Sequence, residues 1–453
     1  MTDFNIEETI QLLSKLIQNR CVNPPGNELK SINTIHRFLT ERGVESTIYK
    51  TAPERGNLLA RIQGTQNGSK LMFGPSHVDV VPVTKEEEWE VDPFSGIMKN
   101  EHIWGRGALD MLFMVVTQVQ AFVKLHQENF QPKGDLILLI VSDEEAGGKY
   151  GTEWMYLNHP DIVQTDYAVS ESGGLAISPG KFIFMFGEKG GSWKRIRFTG
   201  TPGHGSMPYN SDNAVKKAGE AAERLYKYGL SNFLGIPVTT EFLKPMARGL
   251  GLGLIQRFML TNKFILPLTL RQMKNTNQAM AKAVHGLTRM TISPNIIHGG
   301  SKINIIPPSA YLEVDIRTLP GQDEEYVIKH LQKAIGNKLA KEAIIEEPSA
   351  DEGGVASYGN ASPISSPFVQ AMKETINEIL PGSTLVPFMM PAVTDCRFLR
   401  ERGIDAYGFA LFDPKTPLND LSHLAHGINE RVSVKTLELS QEAYYLLAKK
   451  VLI

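Results

Sequence analysis

A chain of 453 residues exceeds one ordinary domain, so two domains, or one domain carrying a large insertion, are expected. Its 42% apolar and 21% charged residues are those of a soluble globular protein, and 47 Lys plus Arg against 49 Asp plus Glu leave −2, no basis for binding nucleic acid or an anionic membrane. Cys21 and Cys396 are too few for a disulfide framework, and without a C-x-x-C pair a sulfur-rich zinc site is excluded.

In chain order, "MTDFNIEETIQLLSKLI" is acidic and then amphipathic, with Ile6, Ile10, Leu13 and Ile17 on one helical face. It lacks the basic start and continuous apolar core of a signal peptide, so a soluble cytoplasmic protein is expected. "NLLARI" (57–62), "KLMFG" (70–74), "DLILLIV" (135–141) and "DYAVS" (166–170) have the length and composition of strands, and 107–127 reads as a helix. This alternation argues for an α/β domain with a mostly parallel central sheet.

Near residue 190 the glycine-rich "GEKGGSW" suggests a hinge. A strand ("WKRIRFTG"), a helix ("NAVKKAGEAAERLYKY"), an irregular insertion at about 229–287, two strands ("LTRMTISPNII", "AYLEVDIRTL"), a helix (323–336) and a strand ("EAIIEE") follow. That β-α-β-β-α-β order is ferredoxin-like. The greasy stretch 248–271 is interrupted by Arg257, Asn262, Lys263 and Pro267, and reads as buried or pocket-lining. The expected domains are therefore 1–191 and 351–453, together catalytic, with 192–350 inserted as an α+β domain.

Three expected strands end in potential ligands: His77 and Asp79 after the second, Asp143, Glu144 and Glu145 after the third, Glu171 after the fourth. In an open parallel sheet, the carboxyl ends of the strands are where ligands gather. "GRGALDM" adds Asp110 beside glycines. Buried carboxylates need partners, and no Lys/Arg cluster accompanies these, so a cation is the simpler partner. Imidazole and carboxylate donors without thiolate suit zinc, with cobalt or manganese as alternatives. A carboxylate shared by two ions would hold them at the spacing of two-metal hydrolytic sites, and the water between them would need a general base. The doubled glutamate answers that need: one ligates and one takes the proton. Adjacent residues on a strand point to opposite sides, which fits two different jobs.

With these motifs in order, "SHVDVVP", "GRGALDM", "SDEEAGG", "SESGG", "GTPGHGSMP", "KINIIPP", "VDIR", "AVTDCRFLRERGIDAYGF" and "HGINERVSV" resemble the blocks of a zinc metallopeptidase family. That family holds aminoacylase, glutamate carboxypeptidase, acetylornithine deacetylase and succinyl-diaminopimelate desuccinylase. The resemblance implies a zinc-exopeptidase-like catalytic domain with an inserted ferredoxin-like lid that dimerises. It implies two zinc ions per subunit, held by His77, Asp110 (bridging), Glu145, Glu171 and His426, the last preferred to His423 by the H-x-x-N-E spacing. It further implies that Asp79 orients His77, that Glu144 is the general base, and that the peptide bond after Asp110 is cis. His204 would stabilise the oxyanion, from the other subunit in dimeric members, while Arg317 and Asn304 would hold the substrate's carboxylate and main chain. Leu112 and Phe113 depart from the usual small or polar residues after the Asp-Met pair, which implies repacking behind Asp110. Glu at position 171 is commoner among aminoacylase-like members. The implied reaction is hydrolysis of an amide beside a free carboxylate, in N-acyl amino acids or short peptides, with the Leu-, Phe- and Met-rich insertion walling an apolar pocket. A strict carboxypeptidase or dipeptidase is the alternative, and a catalytically silent dimeric ligand-binding protein is the rival of another class.

Overall fold

The computed structural model describes residues 2–229, 237–262, 264–276, 278–348, 356–416 and 423–453. The chain divides into two compact units, the first made of Met1–Phe186, Ser362–Phe388 and Thr394–Ile453, the second of Gly187–Ala361 and Met389–Val393.

The first unit is built on a twisted sheet whose four central strands are parallel: Leu136–Val141, Leu71–His77, Tyr167–Ser170 and Asp405–Gly408, side by side in that order. Arg55–Ile62 and Ser46–Ala52 extend it antiparallel on the outer side of Leu136–Val141. All six residues of "LILLIV" are buried, as a strand covered on both faces requires. On one face Met72, Ile137, Leu139, Cys396 and Leu399 pack together. On the other lie the helices Phe113–Gln127 and Val434–Leu452, with the Phe73 and Tyr444 rings 5.6 Å apart. The segment Ala108–Gln127 is long and apolar enough to cross a bilayer, but 89% of its most apolar stretch is buried inside the protein.

One boundary differs from expectation. Regular helix does not begin at 107 but at Phe113. Residues Ala108–Leu112 form a wide turn in which Asp110 has φ −120° and ψ 99°, and the Asp110–Met111 peptide is cis. The turn is entered through Gly107 at φ +85°, where a side chain would collide with Val80 and Leu112.

The second unit contains an antiparallel sheet ordered Ala343–Glu346, Lys194–Thr199, Ser309–Thr318, Thr291–Gly299, which is the ferredoxin-like arrangement of the four expected strands. Strict alternation of burial along Ser309–Thr318 sets one face against the helices Ala214–Gly229 and Glu324–Ile335. The insertion is not irregular where it is described: it folds as the helices Pro237–Gly249, Leu254–Thr261, Leu266–Thr276 and Gln278–Leu287. Pro245, Pro267 and the glycines at 249, 251 and 253 break the sequence into pieces too short to display a clear helical period. These helices line a half-open pocket of about 400 Å³ formed largely by Met246, Leu250, Leu252, Met259, Met273 and Val284. Leu260 and Leu266 are buried as expected, but Leu254, Ile255, Phe258 and Leu268 are exposed, so 248–271 is not uniformly an inward-facing stretch.

Candidate metal centre

The carboxyl ends of three central strands deliver the chemistry. His77 closes its strand, buried to 1% exposure. Its Nδ1 lies 3.0 Å from the Asp79 main-chain oxygen, and 3.5 Å from the Asp79 carboxylate. With Nδ1–H donating there, the Nε2 lone pair is free to face Asp110 Oδ1 at 3.3 Å and Glu171 Oε2 at 3.8 Å. The other Asp110 oxygen, Oδ2, lies 3.3 Å from His426 Nε2, which is itself 3.0 Å from Glu145 Oε1. Asp110 thus sits between two donor sets, His77 with Glu171 and His426 with Glu145. Glu144 approaches the first set, with Oε2 at 4.0 Å from His77 Nε2.

Ligand atoms of His77, Glu144 and Glu171 lie within 4.8 Å of one another, as do those of His77, Asp110 and Glu145. His77 Nε2 and Glu171 Oε1 are buried with no hydrogen-bond partner. Orphaned lone pairs of this kind, converging from imidazole and carboxylate, fit a divalent cation.

The electrostatics describe the same crowding. Burial, then the neighbouring Glu171 charge, hold Glu144 well above the usual carboxylate range. Burial lifts Glu171 to about 7. Burial works against ionised Asp110, but His426 and His77 outweigh it and hold that carboxylate low. Hydrogen bonding to Asp110 and Glu145 raises His426 to about 10.

Glu144 and Glu145 do not continue the strand, which ends at Val141; they lie on a tight turn, Glu144–Ala146. Strand alternation is therefore not what separates them. The turn is set by Asp143 at φ +72° and by the Asp79 carboxylate, which accepts from both Glu144 N (3.2 Å) and Glu145 N (3.1 Å). Asp79 thus fixes both His77 and the glutamate pair. Asp143 accepts from Asn23 Nδ2 (3.0 Å), Tyr150 N (3.0 Å) and the Arg55 guanidinium, while Asn23 also donates to Asp79 at 2.9 Å.

Reading the sequence missed five supporting groups. Asn23 sits in "VNPPG", which signals only a turn, and Arg55 carries no motif. Asp395, inside the quoted "AVTDC", is buried, accepts from Thr152 Oγ1 at 2.6 Å, and is lifted by burial to about 6. Glu430 ends "HGINE". It accepts from Leu109 N (2.9 Å), Asp110 N (3.1 Å) and Arg106 Nη1 (2.6 Å), and Arg106 in turn donates to the His426 carbonyl at 3.2 Å. That pair braces the loops of Asp110 and His426 together. Their place within quoted motifs was the available signal.

His204, Asn304 and Arg317 belong to the second unit. His204 is exposed, pairs across a short ladder with Ile305, and has Nδ1 2.6 Å from Ser206 Oγ. Gly205 N donates to the Asn304 carbonyl at 2.8 Å, which makes His204 and Asn304 neighbours. Arg317, on Ser309–Thr318, spends its Nε on Asp315 at 2.8 Å.

A family model described as peptidase family M20/M25/M40 matches residues 75–253, and one described as a peptidase dimerisation domain matches 186–343. A probable succinyl-diaminopimelate desuccinylase of Staphylococcus aureus is 24% identical, covering 98% of each chain. An N-fatty-acyl-amino acid synthase/hydrolase of Mus musculus is 29% identical over 84% of this chain and 74% of its own length. Among solved structures, an M20 family metallo-carboxypeptidase of Sulfolobus solfataricus matches with a TM-score of 0.68 at 18% identity, covering 99% of each chain.

Proposed function

We propose, for a chain that belongs to peptidase family M20/M25/M40 and is a metallohydrolase of that family, that it cleaves the amide bond of N-acyl amino acids or short peptides beside a free carboxylate. The observation that carries this reading is Asp110 standing between two imidazole–carboxylate sets, with Glu144 left over beside them. His77, Asp110 and Glu171 would hold one zinc ion, and His426, Asp110 and Glu145 a second. When bound, such a pair lowers the pKa of the attacking water and carries charge on the developing oxyanion.

The rest falls to the protein. Glu144, its proton affinity raised by burial and by Glu171, takes the water's proton and delivers it to the leaving nitrogen. Asp79 fixes the His77 ring and the turn bearing both glutamates. His204 would donate to the oxyanion, and Asn304 to the substrate main chain. Arg317, whose Nε is held by Asp315, would hold the substrate carboxylate with its terminal nitrogens. The dimerisation-domain match supports a homodimer through the second unit. Two free buried cysteines suit the cytoplasm.

The acyl-amino-acid reading draws on the mouse and staphylococcal relatives, both named for acyl-group substrates. A panel of N-acyl amino acids of increasing chain length, run against dipeptides with metal content measured in parallel, tests it. Cleavage of the acyl series confirms the reading; cleavage of dipeptides alone establishes the peptidase alternative. Absence of both bound metal and hydrolysis leaves a binding protein.

A further inference from the structure

The near-zero charge of the whole chain conceals a strongly basic segment. Between residues 229 and 287 stand Lys244, Arg248, Arg257, Lys263, Arg271, Lys274 and Lys282 against a single acid, Glu241. That segment carries +6, and the remainder of a chain that totals −2 carries −8. Lys244, Arg248, Arg271, Lys274 and Lys282 are exposed, and none of them forms an ion pair among the described residues.

The same segment exposes large apolar side chains. On the helix Leu254–Thr261, Leu254 is 81% exposed, Ile255 76% and Phe258 55%, all on one side, while Leu260 on the opposite side is buried. The buried side is satisfied by the insertion itself, so the exposed apolar side is left without a partner among the described residues. On Leu266–Thr276, Leu266 is buried, whereas Leu268 is 64% exposed with Arg271 one turn further along its face. Exposed apolar side chains together with Lys and Arg that form no ion pair among the described residues are the composition of a surface that lies in the headgroup region of an anionic membrane. Protein interfaces are depleted of Lys at their centres. A symmetric contact with a second copy would oppose the same +6 segment to itself.

From this juxtaposition we propose that the helical insertion docks the enzyme peripherally on an anionic lipid bilayer, with Leu254, Ile255, Phe258 and Leu268 entering the headgroup region and the basic residues meeting lipid phosphates.

The test is co-sedimentation of the full chain with vesicles of phosphatidylcholine alone or mixed with phosphatidylglycerol. Binding to the mixed vesicles at low salt, released at high salt, is expected. The triple variant R271E/K274E/K282E lowers partitioning by roughly five-fold or more per position. L254S/F258S weakens it while the thermal midpoint is retained. The proposal is overturned if mixed vesicles bind no protein at low salt, or if neither variant changes partitioning. It is equally overturned if L254S/F258S changes the subunit count in light scattering and leaves vesicle binding intact, because the face is then an interface between copies.

Discussion

Replacing Glu430 with Gln tests whether the Arg106–Glu430 pair is a brace for the metal centre. The two side chains are 2% and 0% exposed and 2.6 Å apart. Gln keeps the shape but removes the charge, leaving the guanidinium buried without its counter-ion and turning one amide nitrogen toward another donor. Breaking one side of a buried pair costs about 3–5 kcal/mol. At roughly 2–4 °C per kcal/mol for a unit of this size, the unfolding midpoint of the chelated protein should drop by about 6–20 °C. Losing the anchor of the Leu109 and Asp110 amides should also weaken metal binding roughly 10–100-fold, as losing a group that orients a ligand does. Scanning calorimetry reads the first effect and competition with a chromophoric chelator the second. The double variant R106M/E430L separates them in part: an apolar pair removes the unpaired buried charge and recovers part of the midpoint, yet offers the two amides no acceptor, so metal affinity stays low. A Gln variant with wild-type midpoint and metal affinity within two-fold of wild type would refute the bracing role.

Glu144→Ala should abolish turnover by several orders of magnitude while retaining metal, and Glu145→Ala should lower metal occupancy; elemental analysis beside the activity assay reads both, and the reverse pattern would exchange the two roles. Mixing inactive His204→Ala with inactive Glu144→Ala should restore part of the activity if the histidine acts across a dimer, and no recovery after demonstrated subunit exchange refutes that. Glu28 is buried with neither carboxylate oxygen hydrogen-bonded, and burial, then the Asp79 charge, raise it to about 7. Because the folded value lies above the unfolded one, its contribution is full below about pH 4.5 and is lost as pH rises through 7, on the order of 3 kcal/mol. Denaturation midpoints with chelator present should fall across that window in the wild type and less steeply in Glu28→Gln; identical slopes would show that Glu28 does not titrate there.

Three of the four central parallel strands were legible because they are short apolar runs followed by polar ligands, whereas Asp405–Gly408 carries no such signal. The ferredoxin-like order was legible because each element kept its own period. The cis peptide after Asp110 was implied by the resemblance, but the late helix start was not legible, since "MLFMVVTQV" continues an apolar helical pattern without a break, while a carboxylate from residue 430 holds the amides of Leu109 and Asp110. The four inserted helices were hidden by prolines and glycines that fragment their periodicity. The basic character of that segment was hidden differently, by a total charge that cancels over the whole chain. At the site, residue types and order pointed to the ligands, whereas the partners of Asp143 lie at Asn23 and Arg55, joined to it by nothing in the local sequence.

The order in which the centre becomes available during synthesis follows from where its parts lie in the chain. His77, Asp110, Glu145 and Glu171 emerge from the ribosome early, enough for the first proposed donor set. His426 emerges roughly 10–50 s later at ordinary elongation rates. So do Glu430, which braces Asp110, and the strand Asp405–Gly408, which flanks Tyr167–Ser170. A nascent chain therefore carries those early side chains before the brace and the flanking strand that position them exist. On the proposed ligand roles, the centre is complete only once the last tenth of the protein has been made.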